Sequence, residues 1–188
     1  MTPYQLHVQK WRDGCGDESC GSVTKRCFAR GKIPADVLLI GEAPGESENV
    51  IGQPFVGPAG KLLDHIVAKS VPTTLRHCFT NMVACIPYED KSGRQKAGEP
   101  TFEAIKSCKP RLQELIDLCQ PRLIVLVGKI AQDWVERPRL TGSPTPIPTV
   151  NVVHPAFILR ANVAQQGLLI QRAVVAIGNA VERYVQVG

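Results

Sequence analysis

Short apolar runs alternate along the chain with stretches whose apolar residues recur every three or four positions. Val37-Leu38-Leu39-Ile40 is the first such run, and it reads as a parallel strand buried on both faces. The spacing over Lys61 to Val67 predicts a helix. His77 to Cys85 reads as a second strand, broken by Ile86-Pro87. Phe102, Ile105, Leu112, Leu115 and Ile116 mark a second helix, which Pro110 is expected to kink or to delay. Leu123-Ile124-Val125-Leu126-Val127 is the clearest strand, closed by Gly128 and followed by a short helix over Ile130 to Val135. Thr149 to Val153 is the fourth strand, with His154-Pro155 at its carboxyl end and one helical turn over Ala156 to Arg160. Ile170, Val174, Ile177, Val181 and Tyr184 form the stripe of a closing helix. A short helix is expected within residues 1–14, with Trp11 packed on the body. Residues 88–101 and 137–148 read as polar or Pro-rich loops.

Strands alternating with helices predict an α/β fold with a mostly parallel sheet covered on both faces. The 188 residues suffice for a single domain with one good core, so the expected unit is 1–188. The chain is 44% hydrophobic and 21% charged, as in an ordinary globule. No apolar run approaches the roughly 20 residues of a membrane span, and the N-terminal residues have no signal-peptide core. Seven Cys without such a signal point to a reducing, cytoplasmic setting with metal-bound or buried thiols. The net charge of +5 permits nucleic-acid binding without demonstrating it. Lys91, Arg94 and Lys96 could touch phosphate or simply be solvated.

Gly41 to Gly60 is a long loop with five Gly and three Pro, leaving the carboxyl end of the first strand. Ligands bind at that end of open α/β sheets, and structureless loops this long are uncommon unless functional or disordered. Gly60-Lys61 resembles the end of a phosphate-binding loop, but Phe55 and Leu62 replace the Gly and the Ser or Thr that such a loop needs. Glu42 follows the first strand, Asn81 lies near the end of the second and His154 follows the fourth, so in a parallel sheet they share one edge. They supply an acid, an amide and an imidazole, with Phe55 as a stacking surface. Each has an ordinary structural alternative, and their convergence argues for chemistry. Cys15 and Cys20, at C-x4-C spacing in a Gly-containing stretch with Cys27 beyond, suit a metal or cluster.

The stretch Gly41-Glu42-Ala43-Pro44-Gly45 through Gly60 closely resembles the first motif of the family 4 uracil-DNA glycosylases, the iron–sulfur members of that superfamily. Asn49 stands where an Asp is usual. His154-Pro-Ala-Phe-Ile-Leu-Arg160 is similar to the second family motif. The resemblance covers roughly residues 10 to 184 and implies a three-layer α/β/α sandwich around a four-stranded parallel sheet. It implies hydrolysis of the N-glycosidic bond of uracil in DNA, leaving an abasic site for base-excision repair. Gly41, Ala43, Pro44 and Gly45 would line the pocket, and Glu42 would act on the sugar or water. Glu48 would crowd the 5-position and exclude thymine, Phe55 would stack on uracil, and Asn81 would read its edge. His154 would hydrogen-bond a uracil oxygen. Pro155, Leu159 and Arg160 would lie at the DNA, with Leu159 or Arg160 entering the gap left by the flipped nucleotide.

The resemblance also implies a [4Fe-4S] cluster on Cys15, Cys20, Cys85 and Cys108, with residues 1–30 contributing two ligands. The usual first spacing is C-x2-C, so Cys27 is an alternative to Cys15 or Cys20. Four thiolates alone suit zinc as well as iron. Cys78 and Cys119 are expected as buried apolar residues. The implied partner is uracil-containing DNA, single- or double-stranded, bound by a monomer with no membrane contact. Two other functions fit the same residues: a DNA-binding or replication-associated module with weak or no excision, and a glycosylase for another deaminated base.

Overall fold

A computed structural model describes residues 1–15, 25–90, 95–135 and 138–186, without the side chains of 88–90, 95–97 and 186. In chain order the elements are α1 (Pro3–Trp11), β1 (Arg30–Gly31), β2 (Val37–Gly41), α2 (Glu46–Ile51), α3 (Pro58–Ser70) and β3 (His77–Asn81). Then come β4 (Tyr88–Asp90), β5 (Gln95–Ala97), α4 (Phe102–Cys119), β6 (Leu123–Val127), α5 (Lys129–Trp134) and β7 (Thr149–Val152). α6 (Pro155–Arg160) and α7 (Val163–Val181) close the chain, with a wider π-type turn over Glu182–Gln186.

The main sheet runs β1-β3-β2-β6-β7. β3, β2, β6 and β7 are parallel, and β1 joins β3 antiparallel. Gly41 pairs in register with Asn81, and Val127 with Val152, so all four carboxyl ends lie on one edge. From β2 the chain steps first to one side and then crosses to the other, which opens a crevice at that edge.

Alternate strand residues face opposite layers. Val37, Leu39, Phe79, Val125 and Val127 pack with Leu63 and Ile66 of α3 and Ala173 and Ile177 of α7. Leu38, Ile40, Cys78, Ile124 and Leu126 pack with Leu112, Leu115, Ile116 and Cys119 of α4. Both faces are therefore covered, giving the expected three layers and explaining the unbroken apolar strand runs. α1 is tied to α4 through Glu114, which accepts from Trp11 Nε1 at 2.6 Å, pairs with Lys10 and meets His7 Nδ1 at 3.2 Å. Among the described residues no helix is long and apolar enough to cross a membrane.

Five features differ from the sequence reading. The two-residue β1 adds an antiparallel fifth strand to the expected four, a pairing too short to leave a periodic signal. The loop after β2 contains α2, capped where Glu48 Oε2 accepts from Gly45 N at 3.2 Å and ended by Gly52 at φ 83°. β3 stops at Asn81 rather than Cys85, because the buried Arg111 takes the carbonyls of Asn81 and Met82. Tyr88–Asp90 and Gln95–Ala97 pair as antiparallel strands instead of plain loop, a ladder that needs only backbone groups. α4 is not delayed by Pro110: Thr101 caps it by accepting from Ala104 N at 3.1 Å, and the helix runs on through the proline. Lys91 and Arg94 lie outside the described residues, as does the side chain of Lys96.

Candidate active site

The crevice is built on the close approach of Gly41. A Cβ there would overlap the Phe55 ring and come within 2.5 Å of Asn81 Oδ1. Only a residue without a side chain leaves room for both. Glu42, half-buried, follows immediately. Burial first, and the charge of Glu99 second, hold its carboxyl above the usual glutamate pKa. Ala43 and Gly45 are half-buried and Pro44 is buried, so this turn forms a wall rather than a mobile tip.

The chain then returns through α2 to Phe55, which is 6% exposed and sits in the left-handed region at φ 56°. That conformation costs an L-residue about 1–2 kcal/mol, so its surroundings must hold it. Arg30 donates to the carbonyls of Pro54 and Phe55. Glu48 Oε1 accepts from Val56 N at 2.9 Å and Gly57 N at 2.8 Å. Gly60 presses its backbone against the Phe55 carbonyl, where a Cβ would collide. The resulting ring lies 5.9 Å from Phe79 and 6.4 Å from His154, tilted to each.

Asn81 ends β3 at 2% exposure. Among the described residues nothing hydrogen-bonds its carboxamide, whereas its carbonyl accepts from Arg111 Nη2 at 2.6 Å. Arg111, 1% exposed, also reaches Met82 O at 2.7 Å and Thr80 Oγ1 at 3.2 Å. The backbone beneath the amide is therefore fixed and its side chain is left available.

His154 caps α6. Its Nδ1 accepts from Ala156 N at 3.2 Å, so the proton of the neutral ring sits on Nε2. Burial first, then Arg160, lower its pKa, against an opposing pull from Glu48. Gly128, at φ 91°, lets the ring pack on the end of β6, since a Cβ there would come within 3.0 Å of His154 Cβ. The site thus presents a flat aromatic face, an unused buried amide and a neutral N–H donor, with a desolvated carboxyl beside them. That set can hold a planar heterocycle and support negative charge forming on it.

The sequence-expected residues divide as follows. Gly41, Phe55, Asn81 and His154 come together. Glu48 sits inside the loop, with both carboxylate oxygens accepting backbone amides. Pro155 is buried at the first turn of α6, while Leu159 and Arg160 are exposed beyond it, together with Phe157. Two supporting residues escaped the sequence reading, Arg30 and Arg111, and Gly128 was read only as the end of a strand. Only Arg111 carried a signal, since it shares the buried stripe of α4 with Ala104, Cys108 and Leu115.

Cys85 and Cys108 are buried, and Cys15 packs half-buried against the same apolar group as Cys108. Burial foremost raises the Cys108 pKa, and Cys15 and Cys85 add to the rise. Among the described residues no three His, Cys, Asp or Glu side chains converge as a metal site. Cys20 lies outside the described residues. Cys27 is buried and donates from Sγ to Glu48 O at 3.2 Å; burial pushes its pKa up to about 12. Cys78 and Cys119 lie in the core, as expected.

Residues 28–178 match the uracil DNA glycosylase superfamily. A type-4 uracil-DNA glycosylase of Sulfurisphaera tokodaii is 34% identical over 102 residues, 54% of this chain and 43% of that protein. One from Thermotoga maritima is 29% identical over 150 residues, 73% of each chain. The match to the first of these spans less than half the relative's length. The crystal structure of SMUG2 from Pedobacter heparinus overlays with a TM-score of 0.63 at 13% identity, covering 97% of this chain and 99% of that one. That likeness shows the same fold.

Proposed function

Because the chain belongs to the uracil DNA glycosylase superfamily, we propose that it hydrolyses the N-glycosidic bond of uracil in DNA and leaves an abasic site. The observation that carries this reading is the carboxamide of Asn81, buried beside the Phe55 ring with no hydrogen-bond partner among the described residues. A carboxamide offers one donor and one acceptor side. It matches the O4 acceptor and N3 donor of uracil, and cytosine presents the reverse pattern. Such enzymes read a base that has left the stack, and Phe55 offers the face on which it rests.

The remaining groups act on charge. Bond cleavage leaves positive charge on the sugar and negative charge on the departing base. His154 Nε2–H donates to a carbonyl oxygen of that base, and its Nδ1 bond to Ala156 N keeps the proton on the correct nitrogen. Glu42, as carboxylate, stabilises the sugar cation or orients water. Gly41, Ala43, Pro44 and Gly45 wall the pocket. Glu48 fixes the loop, and through the loop it limits space at the 5-position. Pro155 aims α6, whose exposed Leu159 and Arg160 meet the DNA and fill the gap left by the flipped nucleotide.

The thiols are the candidates for a [4Fe-4S] cluster: Cys85 and Cys108 are buried, Cys15 packs against the same apolar group as Cys108, and the wall of Phe28, Val83, Ala84 and Ala104 suits thiolate-bound iron. Cys15, Cys20, Cys85 and Cys108 would hold it. When bound, the cluster would tie residues 1–30 to the turn after β3 and to α4. Cys27, spent on Glu48 O, is left out of the ligand set. The reading places a monomer in the cytoplasm, acting on single- or double-stranded DNA. Its test is a uracil-containing oligonucleotide incubated with the purified protein: alkali-labile abasic sites are expected at uracil, and an intact strand would refute it.

A further inference from the structure

Arg30 belongs to no motif, yet its guanidinium has every donor except one arm committed around the Phe55 backbone. It enters from the edge strand β1, opposite Phe79. The side chain passes over the Phe79 ring at 4.2 Å. Nε donates to Pro54 O at 2.9 Å, and Nη2 donates to Phe55 O at 3.0 Å and to Asp64 Oδ1 of α3 at 2.8 Å. Two successive carbonyls therefore face one cation. In an extended chain successive carbonyls alternate in direction, so this grip requires a helical-type conformation at residue 55. The observed φ of 56° supplies it in the left-handed sense.

The peptide between Phe55 and Val56 is also held from its amide side, together with the one that follows, by the opposite charge. Val56 N and Gly57 N both donate to Glu48 Oε1. A cation on the carbonyl side and an anion on the amide side thus fix the peptides flanking Phe55. Gly60 closes the third direction by backbone approach. The ring that projects from this frame meets Phe79 and His154.

We propose that Arg30 is a positioning residue for base recognition: it acts through Phe55, locking the conformation that presents the ring to the flipped base. This rests on the reading that Phe55 stacks on uracil. A lysine cannot replace it fully, because an ammonium lacks the planar fork that serves two carbonyls and a carboxylate together. The Arg30–Asp64 ion pair is not the working part, since Asp64 is half-exposed and such pairs contribute little.

The test is a double-mutant cycle on single-turnover uracil release, with Arg30→Gln, Phe55→Ala and the combination, plus Arg30→Lys. Melting temperature and affinity for the same oligonucleotide carrying an abasic site are read on each sample. Arg30→Gln should slow release by roughly ten- to a hundredfold, the size of a misplaced binding group. Affinity for abasic DNA, which offers no base to stack, should stay within about twofold, less than the tenfold that 1.4 kcal/mol represents. Arg30→Lys should recover part of the rate. Phe55→Ala combined with Arg30→Gln should be no slower than Phe55→Ala alone. Multiplying effects in the double variant, an equal loss of abasic-site affinity, or a wild-type rate in Arg30→Gln would overturn the proposal. Should Arg30→Gln not fold, the same cycle with Arg30→Lys decides it. Wild-type protein that releases no uracil is a different outcome: it sinks the functional reading, and the clamp with it.

Discussion

Glu42 and Asn81 show how much one side chain owes to its surroundings. Glu42 is a common residue in a half-buried turn, and its raised pKa comes from burial first and Glu99 second. The account needs it ionised. A raised pKa means that the carboxylate form, and the activity depending on it, is present above that pKa and lost as pH falls through it. The acid limb of kcat should therefore lie above the 4.5 of an ordinary glutamate. Glu42→Gln should slow excision and remove that limb; a variant that keeps the wild-type limb assigns it to another group. Asn81→Asp removes the donor side of the amide and, when ionised, repels O4. Uracil excision should fall by about a hundredfold or more, as for buried polar readers, and an unchanged rate would make Asn81 a turn residue only. Both positions were legible in the sequence, Glu42 from the apolar run that leads into its loop and Asn81 from its place near the end of the second strand. Arg30 was not, because a two-residue edge strand has no period and its partners lie 24 to 34 residues away.

At the scale of elements, the returning loop between β2 and α3 decides the site. Its sequence showed glycines, prolines and acids; it did not show that α2 would form within it. The helix depends on Glu48 reaching back to Gly45 N, and the strap after it depends on the same carboxylate gripping Val56 and Gly57. Those are tertiary bonds of a local residue, invisible to spacing. The closest approach is that of Gly60 to the Phe55 carbonyl. Gly60→Ala should force α3 and the strap apart at a cost of about 1–3 kcal/mol. That corresponds to a melting-temperature drop of roughly 2–4 °C per kcal/mol. Excision should fall with it, and a variant of wild-type stability and rate would show that the strap has slack. Likewise, β3 was read four residues too long because the carbonyls that end it are claimed by Arg111 from another layer. Arg111→Leu leaves those carbonyls unpaired, each costing about 1–3 kcal/mol. It should lower the melting temperature more than any exposed Arg does, and a neutral effect would remove Arg111 from the account.

Over the whole molecule, the parallel sheet was the most legible feature. Two apolar runs buried on both faces, β2 and β6, mark the centre of a parallel sheet, and the parallel β3 and β7 beside them bring Asn81 and His154 to the edge that carries Glu42. The cysteines were legible as a group but not as a ligand set, since a thiol at a given spacing reads the same for iron, zinc or core packing. Purified protein should be brown with broad visible absorption, and Cys85→Ser or Cys108→Ser should bleach it and weaken folding, because metal binding is coupled to folding. Cys27→Ala should keep the colour. Colourless wild-type protein with stoichiometric zinc would replace iron in the account, and bleaching by Cys27→Ala would redraw the ligands. The central claim joins fold, pocket and chemistry at His154, whose neutral Nε2–H must act on the departing base rather than support the fold. The direct measurement is single-turnover uracil release by wild type and His154→Ala, with melting temperature and DNA affinity from the same samples. Removing one such donor should slow release by about a hundred- to a thousandfold, with affinity little changed and melting temperature lowered only by the loss of one helix cap, about 1 kcal/mol. A His154→Ala protein that is destabilised yet releases uracil at the wild-type rate would contradict the account.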